Sequence, residues 1–495
     1  MIELKANQIA EATGGRLTST VDAATKVTSA NTDSRLMVPG SLFIARRGEN
    51  TDGHNFISSA RQAGATLILA ERETTDEQGN IDPAVLVNDA TTAMADLARY
   101  IVEKIRQHSQ TTVIGITGSA GKTSTKDALA ELLAANGPTV APQGSYNSEV
   151  GVPLTIFTAA LDTRYLVVEM GADRLGNITE LADIVRPDIA VVLNVGTAHA
   201  ASFGSIENIA KTKGELVEAL PDGGIAVLNA DDIQVASMAD RLPANASIIW
   251  FSAASSAPQR QRLVYAADAA TTDNENPRFT LQYHAPESTE IDRTGRDVTA
   301  QLIGEHHTTN LLAATTAAFA AGVDFDTIAA AMPRIKPVSA HRMARTDRPD
   351  GITILDDAYN ANPESMRAGL KTLTMLGRNT GRRTWAVLGP MLELGDQHAK
   401  EHILLGEVVV RLNIDQLVVV GDQARALYTG AVNEGSWGDE VDHVQSNDEA
   451  FELLAQHASP GDIIFVKGSN GTRLWELADK LTTHDLLVGH KEMRK

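Results

Sequence analysis

An α/β protein of three domains is predicted by three observations. The chain has 495 residues, more than one hydrophobic core usually spans. Apolar runs of strand length alternate with helical stretches, as in buried parallel sheets. One such run opens through a glycine-rich turn directly into a helix, at residues 112–135. The blocks are a smaller α/β N-terminal domain over 1–108, a central parallel-sheet domain over 109–333 and a Rossmann-like C-terminal domain over 334–495.

The first block carries β-like runs at Ser41–Ala45 and Thr66–Ala70 and a helix over Thr91–Arg106. In the second, strands are expected at Thr112–Thr117, Tyr165–Glu169, Ile189–Asn194 and Ile225–Asn229, with helices at Thr123–Ala135, Ile206–Leu220 and Asn310–Ala321. Residues 252–300, rich in Ala, Ser, Thr, Asp and Asn, read as an irregular or antiparallel excursion. The third block resumes the alternation at Thr353–Asp356, Trp385–Leu388, Gln416–Val420 and Asp462–Val466. Pro333, Pro337 and the polar stretch Thr346–Gly351 mark the junction, and 333–337 is the expected hinge.

Cysteine is absent, which excludes disulfides and thiolate chemistry. The N-terminus has no basic start followed by an apolar run, and no stretch reaches the roughly 20 apolar residues that span a bilayer. A soluble, cytoplasmic, monomeric protein without membrane insertion is expected. The net charge of −20 repels nucleic acid, and it repels phosphorylated ligands as well. Any anionic ligand must be held by local groups.

Such groups are present in Val113–Thr125, where an apolar strand leads into Thr117-Gly118-Ser119-Ala120-Gly121-Lys122-Thr123-Ser124 and then a helix. Glycines let backbone N–H groups turn toward phosphate oxygens, and the helix N-terminus adds favourable partial charge. Lys122 can reach the terminal phosphates and Thr123 can ligate Mg²⁺. The strict spacing wants glycine at 116, where this chain has Ile116; it is a P-loop variant with its glycine at 118. The central domain is thus read as an ATPase domain that binds ATP with Mg²⁺.

Glu169 ends a strand after four apolar residues, a costly place for a carboxylate unless a cation meets it. Thr123 and Glu169 together offer the oxygen ligands Mg²⁺ prefers. His199 follows the strand near 189–194, and Lys211 and Lys213 lie on the helix after it.

The ordered set extends through Asn147-Ser-Glu-Val-Gly, Asn194-Val-Gly-Thr-Ala-His199, Ile209-Ala-Lys-Thr-Lys213, Gly304-Glu-His-His-Thr-Thr-Asn310, His341-Arg-Met, Asp356-Asp-Ala-Tyr-Asn-Ala-Asn-Pro363, Leu388-Gly-Pro-Met-Leu-Glu-Leu-Gly395 and Val466-Lys-Gly-Ser469. It resembles the Mur ligase family over essentially the whole chain. Within the family it is similar to the branch that adds D-alanyl-D-alanine to UDP-N-acetylmuramoyl-tripeptide in peptidoglycan synthesis.

The resemblance implies an ADP-forming ligase. The tripeptide carboxylate attacks the γ-phosphorus of ATP, and the amine of D-alanyl-D-alanine then attacks the acyl phosphate. It implies two Mg²⁺ ions, with Lys122, Glu169, His199 and Lys213 as the catalytic set and Thr123, Glu169, His199 and Lys213 as the metal set. Lys213, rather than Lys211, is expected to be carbamylated. Asn310, Arg342 and Asp357 are implied at the nucleotide; Tyr359, Asn360 and Asn362 at ATP or the dipeptide; Asn147 at the UDP-sugar. Ser34 and Arg35 resemble part of a uridine-nucleotide-binding domain. Ser148 and His307 depart from the family's usual asparagines.

Two other classes share parts of this pattern. A related ligase, the tripeptide synthetase, carries an Asp-Asn-Pro-Arg motif absent here, and folylpolyglutamate synthetase lacks the N-terminal domain. A P-loop regulatory ATPase would have no use for a set spread over two domains.

Overall fold

The computed structural model describes residues 1–48, 51–197, 203–254, 260–285, 295–435, 439–484 and 486. Its strands form three main sheets and one two-stranded pair among the described residues. Among the described residues, the N-terminal sheet has five strands, in the order Arg16–Leu17, Ala84–Leu86, Ala65–Ala70, Ser41–Ala45, Ser29–Asn31. All its pairings are parallel except Arg16–Leu17 with Ala84–Leu86. The helix Ala90–His108 buries its apolar stripe, Met94, Leu97, Ile101 and Ile105, in a core continuous with that of the central domain.

The central sheet runs Arg296–Thr299, Pro277–His284, Leu263–Thr271, Ser247–Ser252, Ile225–Asn229, Ile189–Val192, Thr112–Thr117, Tyr165–Glu169, Thr139–Val140. From Thr139–Val140 to Leu263–Thr271 neighbouring strands are parallel; the last two are antiparallel. Of the two forms expected for the excursion, the described residues 263–284 and 296–299 take the antiparallel one, through the pairing of Leu263–Thr271 with Pro277–His284 and of that strand with Arg296–Thr299. Thr112–Thr117 lies between Ile189–Val192 and Tyr165–Glu169, so the carboxyl ends of all three open on one edge.

The C-terminal sheet runs Ala344–Asp347, Thr353–Asp356, Ile463–Lys467, Thr384–Leu388, Gln416–Val420, Val441–Val444, parallel apart from the first pair. That pair corrects one expectation. The polar stretch 346–351 belongs to an edge hairpin inside the C-terminal sheet: Thr346 and Asp347 end its first strand, Asp347 facing Thr353, and the turn follows them.

The linker corrects another. Gln301 donates to the carbonyls of Ile335 (3.1 Å) and Pro333 (2.8 Å), and Ser339 N–H donates to Asp127 Oδ2 (3.2 Å). Residues 333–339 thus rest on the central domain. The backbone turns sharply only at His341 and Met343, both left-handed with φ of 58° and 50°.

The helix Pro363–Thr380 faces the central domain along one stripe. Glu364 reaches Thr197, Lys371 pairs with Glu305, and Asn379 donates to Glu275 Oε1 (3.0 Å). The spacings of seven and eight residues place all three on one helical face. The opposite side packs so closely that a Cβ on Gly369 would lie 2.3 Å from Phe465 Cζ. Gly369→Ala should lower the thermal midpoint: the overpacking costs about 1–3 kcal/mol, more than the ~1 kcal/mol alanine returns in helix propensity. An unchanged or raised midpoint would contradict this packing.

Candidate functional site

The carboxyl edge of the central sheet faces the C-terminal domain across a cavity of about 580 Å³. Its floor is the loop Gly118–Ser124. Gly121 has φ 83°, and a Cβ there would meet Asn310 Oδ1 at 2.3 Å, so both backbone and space require glycine. The loop apex is pinned from the neighbouring strand: Ala120 N–H donates to Asn194 Oδ1 (2.9 Å) and Asn194 Nδ2 returns to the Ala120 carbonyl (3.1 Å). Lys122 Nζ donates to the Gly118 carbonyl at 2.7 Å, curled over its own loop. Burial pulls its ammonium below the ordinary lysine range, with Arg342 adding to the shift and Glu169 opposing it.

Glu169 is fully buried. Its Oε2 accepts from the Thr123 hydroxyl (3.0 Å), and its Oε1 accepts from Asn147 Nδ2 (2.7 Å) and Ser145 Oγ (3.0 Å). These oxygens form the hard donor set expected for magnesium. Asn147, expected at the sugar, here orients this carboxylate.

Lys213 lines the same cavity and is 5% exposed, whereas Lys211 is exposed. Among the described residues Lys213 Nζ has no hydrogen-bond or ion-pair partner. Burial first, and the charge of Lys122 second, push its ammonium well below the ordinary range. His199 lies outside the described residues.

The facing wall comes from the C-terminal domain. Arg342 Nη2 donates to Thr123 Oγ1 at 3.2 Å, and its guanidinium stacks 4.3 Å from the Tyr359 ring centroid. The turn that aims it is held by two adjacent carboxylates. His341 Nδ1 bonds Asp356 Oδ2 (2.7 Å), and Met343 N–H donates to Asp357 Oδ1 (3.1 Å). Asn362 caps the helix Pro363–Thr380 and also donates to the Ser119 carbonyl (3.4 Å).

The structure therefore brings together Gly118–Ser124, Asn147, Glu169, Lys213, Arg342, Tyr359, Asn360 and Asn362 on one cavity. Thr117 sits just behind the loop, its hydroxyl bonded to the Met170 carbonyl (3.0 Å). Asn310 backs Gly121, and Asp357 backs the Arg342 turn. Ser34 and Arg35 are elsewhere, on an exposed turn of the N-terminal domain where Arg35 pairs with Asp33 (2.6 Å).

Three residues of the site were not among those expected from sequence. Asn194 pins the loop. Glu364 Oε1 accepts both the N–H and the hydroxyl of Thr197, each at 2.9 Å, across the domain boundary. Lys467 is buried and bonds Asp357 and the Asn360 carbonyl (2.9 Å). Lys467 carried the signal that exposed Glu169, a charge closing an apolar strand; Glu364 carried none.

No helix among the described residues is long and apolar enough to cross a membrane. Three family models match: the Mur ligase middle domain over residues 116–318, the Mur ligase glutamate ligase domain over 341–470, and the Mur ligase family catalytic domain over 26–102. The UDP-N-acetylmuramoyl-tripeptide–D-alanyl-D-alanine ligase of Mycobacterium tuberculosis is 42% identical, with 98% of this chain and 99% of that protein covered. The Escherichia coli protein of that name is 33% identical over 87% and 89%. Among solved structures, MurF from Acinetobacter baumannii superposes with a TM-score of 0.82 at 29% identity, covering 97% of this chain and 99% of that one. MurF ligase from Thermotoga maritima in complex with ADP gives 0.73 at 28%, covering 95% and 99%. With a P-loop floor, a buried carboxylate and a C-terminal arginine closing on both, and with matches along its full length, the chain belongs to the Mur ligase family.

Proposed function

We propose that this chain joins D-alanyl-D-alanine to UDP-N-acetylmuramoyl-tripeptide at the expense of ATP, releasing ADP and phosphate. One observation carries the reading. The phosphate loop, Glu169 and Lys213 face Arg342 and residues 359–362 across one cavity, in a chain similar end to end to relatives bearing that name. The three-domain division at 108 and 333, with the UDP end of the substrate near Ser34 and Arg35, belongs to the same proposal.

Lys122 and Arg342 supply positive charge where three anionic groups must meet, so the chemistry is mainly neutralisation and alignment. On binding, the Lys122 ammonium exchanges the Gly118 carbonyl for phosphate oxygens. The tripeptide carboxylate attacks the γ-phosphorus, ADP departs, and the dipeptide amine displaces phosphate from the acyl carbon. Thr123, Glu169, His199 and Lys213 would hold two magnesium ions, which withdraw charge from the phosphate oxygens. Closure of the C-terminal domain keeps water from the acyl phosphate.

Lys213 carries a carbamate in this reading. A buried amine whose surroundings disfavour its charge gives up a proton more readily, and the deprotonated amine is nucleophilic toward CO₂. The neutral amine nitrogen bonds to carbon as one C=O π bond opens onto oxygen, one proton leaves the nitrogen, and the amine becomes an anionic oxygen ligand. The exposed Lys211 has no such environment.

Lys122→Ala should lower dipeptide-dependent ADP release by at least about two orders of magnitude, on the scale of one lost transition-state contact; near-normal release would remove the assignment. Protein equilibrated with ¹³C-bicarbonate should show a carbamate carbon signal that Lys211→Ala keeps and Lys213→Ala loses. Its survival in Lys213→Ala would place the modification elsewhere. Glu364→Ala should leave the nucleotide-bound protein more extended in solution scattering; a profile identical to wild type would deny Glu364 a part in closure.

A further inference from the structure

We propose that His341, Asp356 and Asp479 form a metal site for a borderline divalent ion such as zinc, behind the turn that aims Arg342. None of the three lines the catalytic cavity, so the site is separate from the magnesium set and does not depend on the ligase reading.

Three elements converge there. His341 occupies the left-handed turn, Asp356 ends the strand Thr353–Asp356, and Asp479 lies on the helix Leu474–Thr483. His341 Nδ1 faces Asp356 Oδ2 at 2.7 Å, and one ligand atom from each of the three residues lies within 4.8 Å of the others. Among the described residues no other group of three His, Asp or Glu side chains comes together this closely. Ligand atoms around a tetrahedral zinc ion stand about 3.3 Å apart. The His341–Asp356 pair is already inside that spacing, and the exposed Asp479 side chain is free to close the rest.

The hydrogen bonds leave the right atoms available. Asp356 Oδ1 accepts from Ala358 N–H (3.1 Å), which fixes the carboxylate with Oδ2 toward His341. The Asp479 carboxylate has no partner among the described residues. The lysine that follows it, Lys480, pairs with Asp448 instead (2.8 Å), and Lys467 pairs with Asp357. Neither Asp356 nor Asp479 is therefore paired with a lysine or arginine, and two carboxylates with one imidazole remain to meet a cation.

That donor set selects the ion. Magnesium prefers oxygen ligands and keeps much of its water, whereas an imidazole joined by carboxylates suits zinc and its first-row neighbours. On binding, the proton shared by His341 and Asp356 leaves to water and the ion takes its place. The ion then ties the 341–343 turn, and with it Arg342, to the helix Leu474–Thr483.

Trp475 reports on the site, because its ring centroid lies 5.8 Å from that of His341. Full-length enzyme, stripped with chelator and held in excess Mg²⁺ without nucleotide, is titrated with Co²⁺ while tryptophan emission is followed. Wild type should show saturable quenching that Zn²⁺ reverses and further Mg²⁺ does not. Trp475→Phe should lose that quenching. Asp479→Asn should weaken Co²⁺ binding at least about tenfold, and His341→Asn, a residue that tolerates the left-handed backbone, should do the same. Asp479 is exposed, so its variant keeps the test decisive even where His341→Asn fails to fold. No saturable quenching in wild type overturns the proposal. So does full quenching in Trp475→Phe, or Co²⁺ binding of wild-type strength in Asp479→Asn.

Discussion

A carboxylate closed off from water at the end of an apolar strand needs donors on both oxygens, and the arrangement of Glu169 follows from that need. One oxygen takes the Thr123 hydroxyl and the other takes Asn147 and Ser145. The first bond ties the strand Tyr165–Glu169 to the start of the helix Lys122–Ala134, and the second draws in the segment after Pro142. The phosphate loop is thereby braced on one side by Glu169 and on the other by Asn194. Its curvature is set before any ligand arrives, so little reorganisation remains for the chemical step.

Arg342 extends this brace across the domain boundary. Its bond to Thr123 depends on the left-handed turn at 341–343, and that turn depends on Asp356 and Asp357 at the end of their own strand. Burial holds Asp356 above the ordinary carboxylate range, with His341 opposing that shift. Lys467 then neutralises Asp357 from the adjacent strand. The position of one guanidinium is thus decided by strand order in the C-terminal sheet, which sets Thr353–Asp356 beside Ile463–Lys467.

Most of this fold was legible in the sequence because its strands are continuous apolar runs, and Thr112–Thr117, Tyr165–Glu169 and Ile225–Asn229 begin and end where expected. The phosphate loop was legible because strand, glycine and lysine stand together in the chain. The linker misled: Pro333 and Pro337 resemble a boundary, but backbone groups there bond to Gln301, a partner periodicity cannot reveal. The choice of Lys213 over Lys211 drew on family resemblance, and burial alone now separates them. Glu364 was illegible because an acidic residue in the first helical turn is ordinarily explained by the helix dipole. Only the meeting of residues 167 positions apart shows its second use.

The contact at Glu364 is also lopsided. One oxygen receives both Thr197 bonds, while Oε2 is buried with no hydrogen-bond partner among the described residues, as is Arg342 Nε on the same side of the boundary. A buried polar atom without a partner costs on the order of 1–3 kcal/mol, which works against what the bonds at this boundary contribute. The contact between Glu364 and Thr197 is therefore a weak tie between the two sides of the boundary. A catalyst that must let go of two spent molecules and one long product in every cycle gains from a door that does not lock.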